Sequence, residues 1–391
     1  YATGLTMTNE KFNNLFGQNP RISEEEKLNA LCEVEKGGQA NSVLADALNR
    51  VDEELSSRDK NFVTELVQGT IRMRRALDHL WAPFVKRELD VEVKVAVRLG
   101  VYQLVFLGTP PHAALNATVD IVPRRVKGLV NAVLRRVSET QTNFPTGAVK
   151  NSYPDWIWNW AEKEWGLDGQ AALIAMNSAE RPEKRLDGYI QGSASRWVCS
   201  EVDAASPNGG LLLDVCAAPG GKTTGLGHQW DIVVGADHSA LRASVLAELQ
   251  HRLNPPRRAV QADARFPPFR PQCADAVLVD APCTGLGAMG RRSDARWNIG
   301  KGAIERLAEQ QLRILNASCQ LLKPGGILTY SVCTFTKKET IGVSEDFASQ
   351  NTNMEPVALD SQRWRHLGTG GIVLPQDYGT DGMAIFQWRL A

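Results

Sequence analysis

From Gly210 onward the chain alternates short apolar runs with helical stretches, and this alternation constrains the fold more than any other feature of the sequence. Five of the runs are rich in Leu, Ile and Val: LLLDVCA, DIVVGAD, RAVQADA, ADAVLVDAP and GGILTYSVCT. Strands that alternate with helices form a parallel sheet whose two faces the helices cover. We therefore predict an α/β fold in which ligands bind at the carboxyl ends of the strands.

The first third of the chain has a different pattern, in which apolar residues recur at helical spacing. The stretches DKNFVTELVQGTIRMRRALDHLWAPFV, DVEVKVAVRLGVYQLVFLG and KGLVNAVLRRVS keep this spacing and predict a helical bundle. A stretch with Pro, Gly and several Trp residues follows, and we interpret these tryptophans as packing residues. The predicted organisation is a flexible N-terminus over 1–20, a helical domain over 21–140, a linker and short helical connector over 141–190, and the α/β domain over 191–391.

Charge and cysteine usage narrow the class of protein. The 44 basic and 44 acidic side chains cancel, although residues 71–140 hold twelve Lys or Arg against six Asp or Glu. That basic block is either a solvated face or an RNA-binding surface. The seven cysteines form no C-x-x-C pair, which argues against a disulfide framework or a metal cluster. With no apolar run of ~20 residues and no secretory signal, the sequence predicts a cytoplasmic protein without a membrane partner. A monomer is expected, although no pattern in the sequence tests its oligomeric state.

The stretch DVCAAPGGKTT follows the first strand of the α/β domain and predicts a ligand-binding turn before a helix. The P-loop pattern needs glycine where Cys216 stands, and the dinucleotide pattern G-x-G-x-x-G is absent, which argues against ATP and NAD. Asp237, at the second strand end, can accept both ribose hydroxyls, and Asp263, at the third, can accept from the adenine amine. Each aspartate alone could cap a helix or turn. Together with Asp214 they favour S-adenosylmethionine.

Two cysteines follow the fourth and fifth strands, at the edge where the turn is predicted: Cys283 and Cys333. A single cysteine is usually a small buried apolar residue, but two at adjacent strand ends favour chemistry. A thiolate that adds to C6 of cytosine makes C5 able to attack a sulfonium methyl group. Asp280, held protonated in a dry pocket, could donate to N3 of the base, and Lys222 could lower the pKa of the attacking thiol. The residues alone leave open which cysteine attacks.

Five motifs in order resemble those of the Sun/Fmu group of RNA cytosine-5 methyltransferases: DVCAAPGGKTT, VDAPCTGLG, RRSDARW, YSVCTF and LPQDYGTDGMAIFQW. In the first third, three stretches resemble the NusB-type helical RNA-binding domain: RDKNFVTELVQGTIRMRRALD, VRLGVYQLVFLGTPPHAALNATVDIV and GLVNAVLRRV. The resemblance implies a Rossmann-like class I methyltransferase domain, with a mostly parallel seven-stranded sheet, preceded by an all-α NusB-like domain.

The resemblance also implies roles for single residues. Cys333 is the implied nucleophile, and Cys283 assists release of the methylated RNA. The implied S-adenosylmethionine site consists of Cys216, Ala217, Ala218, Pro219, Gly220, Gly221, Lys222, Asp237, Asp263 and Asp280. The implied partner is RNA, with small-subunit ribosomal RNA expected and a cytosine in a single strand or loop as the target.

Three departures from the family pattern leave alternatives open. Only EKRLD joins Arg181-Pro182 to Gly188-Tyr189, where the family carries a subdomain that contacts RNA; either the protein lacks it or a segment is missing from the sequence. Gly192 replaces a usual acidic residue, and Ser293 replaces a usual proline. The arginines around Ser293 either contact phosphates or form a solvated cluster: Arg291, Arg292 and Arg296.

Two other functions compete with RNA methylation. The first is a non-catalytic RNA-binding or ribosome-assembly factor that retains the fold, which the short EKRLD join favours. The second is a DNA-directed methyltransferase, because DNA cytosine-5 methyltransferases attack with the cysteine of a Pro-Cys motif, and Cys283 stands in such a motif here.

Overall fold

The described residues form two compact units, one that runs up to Trp158 and includes Arg292–Asn298, and the other over Asn159–Arg291 with Ile299–Ala391. A short segment from the second half of the sequence therefore folds with the first unit. The predicted flexible N-terminus 1–20 lies outside the described residues. The computed structural model describes residues 24–50, 56–178, 183–253, 258–300 and 302–391.

The first unit is helical, as the apolar spacing predicts. Leu66, Leu77, Leu99 and Leu134 are among its fully buried side chains, and each such burial contributes roughly 1.5–3 kcal/mol to its stability. Its described helices are α1 (Glu24–Glu35), α2 (Ala40–Arg50), α3 (Ser57–Arg72), α4 (Arg74–Trp81), α5 (Val91–Val105), α6 (Pro111–Asp120), α7 (Arg124–Glu139), α8 (Gly147–Lys150) and, later in the chain, α14 (Ala295–Asn298).

The segment Arg292–Asn298 packs into the first unit through buried side chains. Arg296 is fully buried, and its guanidinium carbon lies 4.0 Å from the centroid of the Tyr153 ring. Trp297 donates its indole N–H to the Ile71 carbonyl at 2.8 Å. Both predicted roles, phosphate contact and solvated cluster, are therefore wrong for Arg296. Local sequence could not show this, because Tyr153 and Ile71 lie far from Arg296 along the chain.

The second unit is an α/β domain, and the predicted Rossmann-like fold is confirmed. None of the described helices is long and apolar enough to cross a membrane. The elements in chain order are α9 (Asp155–Trp165, which begins in the first unit), α10 (Leu167–Ala175), β1 (Glu183–Lys184), β2 (Ile190–Gln191), α11 (Ser193–Ala205), β3 (Gly210–Asp214), α12 (Gly221–Gly225), β4 (Trp230–Asp237), α13 (Ala240–Leu253), β5 (Arg258–Gln261), β6 (Ala274–Asp280), α15 (Ala303–Cys319), β7 (Leu322–Val332), a π-helical turn (Lys338–Gly342), α16 (Val343–Gln350), β8 (Met354–Pro356), β9 (Arg365–Leu367), β10 (Gly370–Val373), α17 (Pro375–Tyr378) and β11 (Met383–Leu390).

One half of the main sheet is parallel and places the predicted site residues along one edge. The strands lie in the order β5-β4-β3-β6-β7, and each pairs in parallel with its neighbour. Asp214, Asp237 and Asp280 are the last residues of β3, β4 and β6, and Cys333 directly follows β7. Because the carboxyl ends of parallel strands meet at one edge, these residues belong to the same edge of the sheet. We call it the active edge.

The other half of the sheet is antiparallel. β11 pairs with β7, β10 with β11 and β9 with β10, while β8 pairs with the far end of β11. The described residues thus form a nine-stranded sheet rather than the expected seven-stranded one. β8 and β9 account for the difference: each has three residues and lacks the apolar run that marks a strand in the sequence.

Candidate active site

The turn after β3 brings its backbone close to neighbouring side chains. Gly220 has φ +111°, a left-handed conformation that favours glycine, and a Cβ there would lie 2.8 Å from Leu246 Cδ1. The Ala217 N–H donates to the Ala236 carbonyl at 2.8 Å, which ties the turn to β4. The DVCAAPGGKTT stretch therefore forms the predicted strand–turn–helix, with α12 starting at Gly221.

The buried Asp214 side chain stabilises this turn by a hydrogen bond to α12. Thr223 Oγ1, two residues into α12, donates to Asp214 Oδ2 at 2.6 Å. Burial is the main cause that raises the pKa of Asp214 to about 7, while the Thr223 hydrogen bond acts in the opposite direction. Cys216, two residues further on, is partly buried, and burial together with the nearby carboxylates raises the pKa of its thiol. Cys216 is therefore a neutral thiol at neutral pH.

Two carboxylates stand beyond the turn at the next strand ends. Asp237 accepts from the Ser239 N–H at 3.0 Å and pairs with Arg242 at 3.2 Å. Arg242 also donates to the Ala218 carbonyl at 2.6 Å, so it links Asp237 to the turn. Asp263 lies two residues past β5, and its hydrogen bond with Arg265 lowers the pKa of its carboxyl to about 2. Both sites fit an adenosyl ligand, whose ribose hydroxyls and exocyclic amine are hydrogen-bond donors.

Lys222 and Asp280 form an ion pair between the turn and the end of β6. Lys222 Nζ lies 2.8 Å from Asp280 Oδ2, and Ser331 Oγ donates to Oδ1 at 2.9 Å. Burial acts to lower the pKa of Lys222, but the Asp280 carboxylate outweighs it and the pKa is raised. Asp280 therefore accepts hydrogen bonds from Lys222 and Ser331, and its expected role as a proton donor to the base stays a prediction.

The two predicted cysteines meet at the active edge. Asp280 of β6 lies opposite Ser331 of β7, and the residues that follow bring Cys283 Sγ to 3.4 Å from Cys333 Sγ. The hydrogen bond to Cys333 raises the pKa of Cys283, and burial and the Glu339 carboxylate act in the same direction. The raised pKa favours the protonated form of Cys283, and its thiol lies within hydrogen-bond distance of the Cys333 sulfur. Lys222, in contrast, interacts electrostatically with Cys333.

Glu339 is a buried residue of this site that sequence reasoning missed. Its carboxylate accepts from the Thr284 N–H at 2.8 Å, from Thr284 Oγ1 at 2.6 Å and from Thr336 Oγ1 at 2.8 Å. Thr284 follows Cys283 directly, so Glu339 fixes the backbone that carries this thiol. The KKET stretch predicts only a helix, and no local signal shows that its glutamate is buried.

Sequence reasoning also missed Arg185 and Tyr189 of the β1–β2 hairpin, which contact the cofactor turn and α12. Arg185 donates to the Gly221 carbonyl and to Gln191 Oε1 at 2.9 Å, and to Thr224 Oγ1 at 3.0 Å. The Tyr189 ring lies 3.2 Å from the position that a Gly221 Cβ would take. The short EKRLD stretch therefore forms a hairpin that packs against the turn and α12.

The fold and this edge define a Rossmann-like methyltransferase preceded by a NusB-like helical domain. A family model described as 16S rRNA methyltransferase RsmB/F matches residues 204–389, and a NusB family model matches residues 23–139. The ribosomal RNA small subunit methyltransferase B of Thermus thermophilus is 32% identical over 359 residues, which cover 83% of this chain and 87% of that protein. The chain belongs to the 16S rRNA methyltransferase RsmB/F family.

Other comparisons agree with this family. The ribosomal RNA small subunit methyltransferase B of Cronobacter sakazakii is 29% identical over 386 residues, covering 82% of this chain and 88% of that protein. The crystal structure of PH0851 has the same fold, with a TM-score of 0.76 and 18% identity, covering 95% of this chain and 100% of that one. The predicted Sun/Fmu-type resemblance and the S-adenosylmethionine cofactor are confirmed at the level of the family.

Proposed function

We propose that this chain methylates C5 of a cytosine in small-subunit ribosomal RNA through a covalent bond between Cys333 and C6 of the base. The observation that carries the proposal is the thiol pair, 3.4 Å apart, at the same edge as the cofactor turn. The names of the relatives support ribosomal RNA as the substrate. A cytosine in a duplex must leave its stack to reach such a site, so an unpaired nucleotide is the expected target.

The residues of the turn would hold S-adenosylmethionine, which supplies an electrophilic methyl group when bound. Backbone groups of residues 216–222 would contact it, Asp237 would accept from the ribose hydroxyls, and Asp263 would accept from the adenine amine. Asp280, paired with Lys222, would lie between this ligand and the cytosine.

The surroundings of the two thiols favour Cys333 as the nucleophile. The Lys222 ammonium stabilises a negative charge on Cys333, whereas the Glu339 carboxylate opposes one on Cys283. A Cys333 thiolate adds to C6, and the electron pair of the C5–C6 double bond becomes available at C5 for attack on the methyl group. A Cys283 nucleophile, as in the DNA-directed alternative, would have to lose its proton next to a carboxylate.

Cys283 has a second role in the proposed reaction. Its pKa is raised first by the hydrogen bond to Cys333, and this hydrogen bond is lost once the Cys333 sulfur bonds to carbon. With that contribution removed, the pKa of Cys283 falls, its proton passes to solvent, and the thiolate so formed can take the C5 proton. The electron pair of that C–H bond restores the C5–C6 double bond, the Cys333–C6 bond breaks, and the methylated cytosine is released.

Two serine variants test these roles on small-subunit ribosomal RNA transcripts. We expect Cys333→Ser to lose methyl transfer by at least about 10³-fold, because a hydroxyl is a far weaker nucleophile than a thiolate at neutral pH. We expect Cys283→Ser to accumulate a covalent enzyme–RNA species on a denaturing gel. Cys273→Ser is the matched control, since Cys273 precedes β6 at the opposite edge of the sheet.

Turnover of Cys333→Ser near the wild-type rate would refute the proposed nucleophile. Wild-type protein that binds S-adenosylmethionine but transfers no methyl group to RNA would instead favour the non-catalytic assembly factor. Bisulfite sequencing of the methylated transcript identifies the target cytosine.

A further inference from the structure

Tyr378, in the loop between β10 and β11, forms an aromatic pair with Trp197 of α11 at the protein surface. Tyr378, the last residue of α17, is 53% exposed. Its ring meets the Trp197 ring of α11 edge to face, with centroids 5.2 Å apart. Trp197 in turn packs edge to face against the buried Trp364 at 6.5 Å. One side of the pair is therefore anchored in the core, and the Tyr378 ring faces solvent.

This pair lies on the active edge. β11 runs antiparallel to β7 with Ala384 opposite Val332, so the loop that precedes β11 lies beside the carboxyl end of β7. β10 stands two strands from β7 in the sheet, which is roughly 10 Å at the usual spacing of strands. The order along the edge is therefore cofactor turn, thiol pair, aromatic pair.

Hydrogen bonds tie the aromatic loop to the nucleophile. The Gly382 N–H donates to the Gly287 carbonyl at 2.9 Å, and the Gly287 N–H donates to the Cys333 carbonyl at 3.0 Å. On the other side, the Ala194 N–H at the start of α11 donates to Thr380 Oγ1 at 3.3 Å. Both rings are thus held in place relative to Cys333.

The Tyr378 helix is also rigidly fastened at its base. Asp377 accepts from the Leu374 N–H at 2.9 Å and forms an ion pair with Arg365. The ion pair neutralises the acidic group next to Tyr378. The exposed ring is therefore carried by a fixed helix end and not by an unrestrained loop.

A cation accompanies the aromatic rings. Arg363 is exposed, and its guanidinium carbon lies 5.5 Å from the centroid of the Trp197 ring. An exposed tyrosine ring supported by a partly buried tryptophan, with an arginine beside them, matches single-stranded nucleic acid, since a base stacks on the exposed ring and the cation attracts the phosphate. An apolar ligand would gain nothing from Arg363.

We propose that Tyr378 and Trp197 form a stacking site for an unpaired RNA base that neighbours the target cytosine, with Arg363 contacting the adjoining phosphate. The inference rests on the proposed RNA methylation and adds the path by which the strand leaves the thiol pair. In this proposal the β10–β11 loop binds the nucleotide that flanks the target cytosine.

The test compares Tyr378→Ala with Tyr378→Phe, which keeps the ring, and with Leu241→Ala, which truncates another side chain that is 76% exposed. The substrate is a short single-stranded RNA with one cytosine. We expect Tyr378→Ala to raise the KM for this RNA about 5- to 100-fold, as loss of one stacked base predicts, with kcat and the affinity for S-adenosylmethionine little changed. Tyr378→Phe and Leu241→Ala should stay near the wild type.

A fluorescent base provides a second readout that does not depend on turnover. RNAs with 2-aminopurine on either side of the cytosine should lose fluorescence by stacking, at one of the two positions, when they bind the wild type or Tyr378→Phe. Tyr378→Ala should not quench it. An unchanged KM in Tyr378→Ala, or quenching that this variant retains, would overturn the stacking site. If the proposed function itself is wrong, the wild type transfers no methyl group to RNA, and this result is distinct from those that test the stacking site.

Discussion

The two halves of the active edge are assembled differently. In the cofactor half, around the turn 216–222, the contact of Thr223 with Asp214 joins residues nine apart, while that of Arg242 with Ala218 spans 24 and that of Arg185 with Gly221 spans 36. In the thiol half, around Cys283 and Cys333, the sulfur contact spans 50 residues and the Thr284–Glu339 contact spans 55. A local motif therefore shapes the turn of the first half, which more distant residues then support, whereas the thiol contact of the second half itself joins segments 50 residues apart.

This difference predicts that damage to the thiol half lowers kcat, while damage to the cofactor half acts on S-adenosylmethionine binding. The halves meet at the Lys222–Asp280 pair, where Lys222 comes from the turn and Asp280 from the strand that leads to Cys283. Substitutions on either side of this pair can separate the two contributions.

The largest stability effect is expected at Asp214 in the cofactor half. Its pKa is about 7 in the folded protein against an ordinary 3.8, so the folded state binds this proton more tightly and loses stability as pH rises from about 4 to about 7. Between pH 5 and pH 8 the wild type should lose about 3 kcal/mol in its free energy of unfolding through this group. Asp214→Asn removes the titration, and urea unfolding at both pH values measures the difference. Equal pH dependence in both proteins would contradict the assignment.

In the thiol half, we expect Glu339→Gln to lower the free energy of unfolding by a smaller amount, about 2 kcal/mol. The amide keeps the shape but offers one oxygen where the carboxylate accepts from the Thr284 backbone and hydroxyl, from Thr336 and from Gln311, so a buried hydrogen bond is lost. We expect kcat to fall while calorimetry shows unchanged binding of S-adenosylhomocysteine. Glu345→Gln, at an exposed position on α16, is the control and should change neither. Weakened cofactor binding in Glu339→Gln would show that the halves are not separable.

The smallest effect is expected for Arg185→Lys, which keeps the charge but cannot make all the hydrogen bonds to Gly221 and Thr224. If the lost hydrogen bonds weaken the binding of S-adenosylmethionine by about 1 kcal/mol, its KM rises roughly fivefold. The kcat should stay near that of the wild type. Lys184→Ala, an exposed neighbour, serves as the control. A fall in kcat with an unchanged KM would place Arg185 outside the cofactor half.

The sequence predicts the cofactor half in detail because its residues are contiguous or stand at strand ends. The apolar run before Asp214 marks β3, the small residues after it mark the turn, and Asp237 and Asp263 follow from the strand period. The same reasoning also places the two cysteines at this edge. Their 3.4 Å contact could not be predicted from the sequence, because it depends on how two loops of different sequence fold over the edge.

Other features lay beyond sequence reasoning for identifiable physical reasons. The short strands β8 and β9 form by pairing to existing strands and not by apolar patterning. Arg296 is buried in the helical unit although charged residues in a loop are usually solvated. The contact between Asp280 and Lys222 depends on a helix that lies 58 residues earlier in the chain.

The central claim, that Cys333 is the attacking thiol and Cys283 its protonated neighbour, is tested most directly with RNA that carries 5-fluorocytosine at the target position. Fluorine at C5 blocks the proton loss that normally frees the enzyme, so the adduct persists after methyl transfer. We predict that the wild type and Cys283→Ser are trapped on this RNA, that the modified peptide maps to Cys333, and that Cys333→Ser forms no adduct. Mapping of the bond to Cys283, or trapping of Cys333→Ser, would contradict the account.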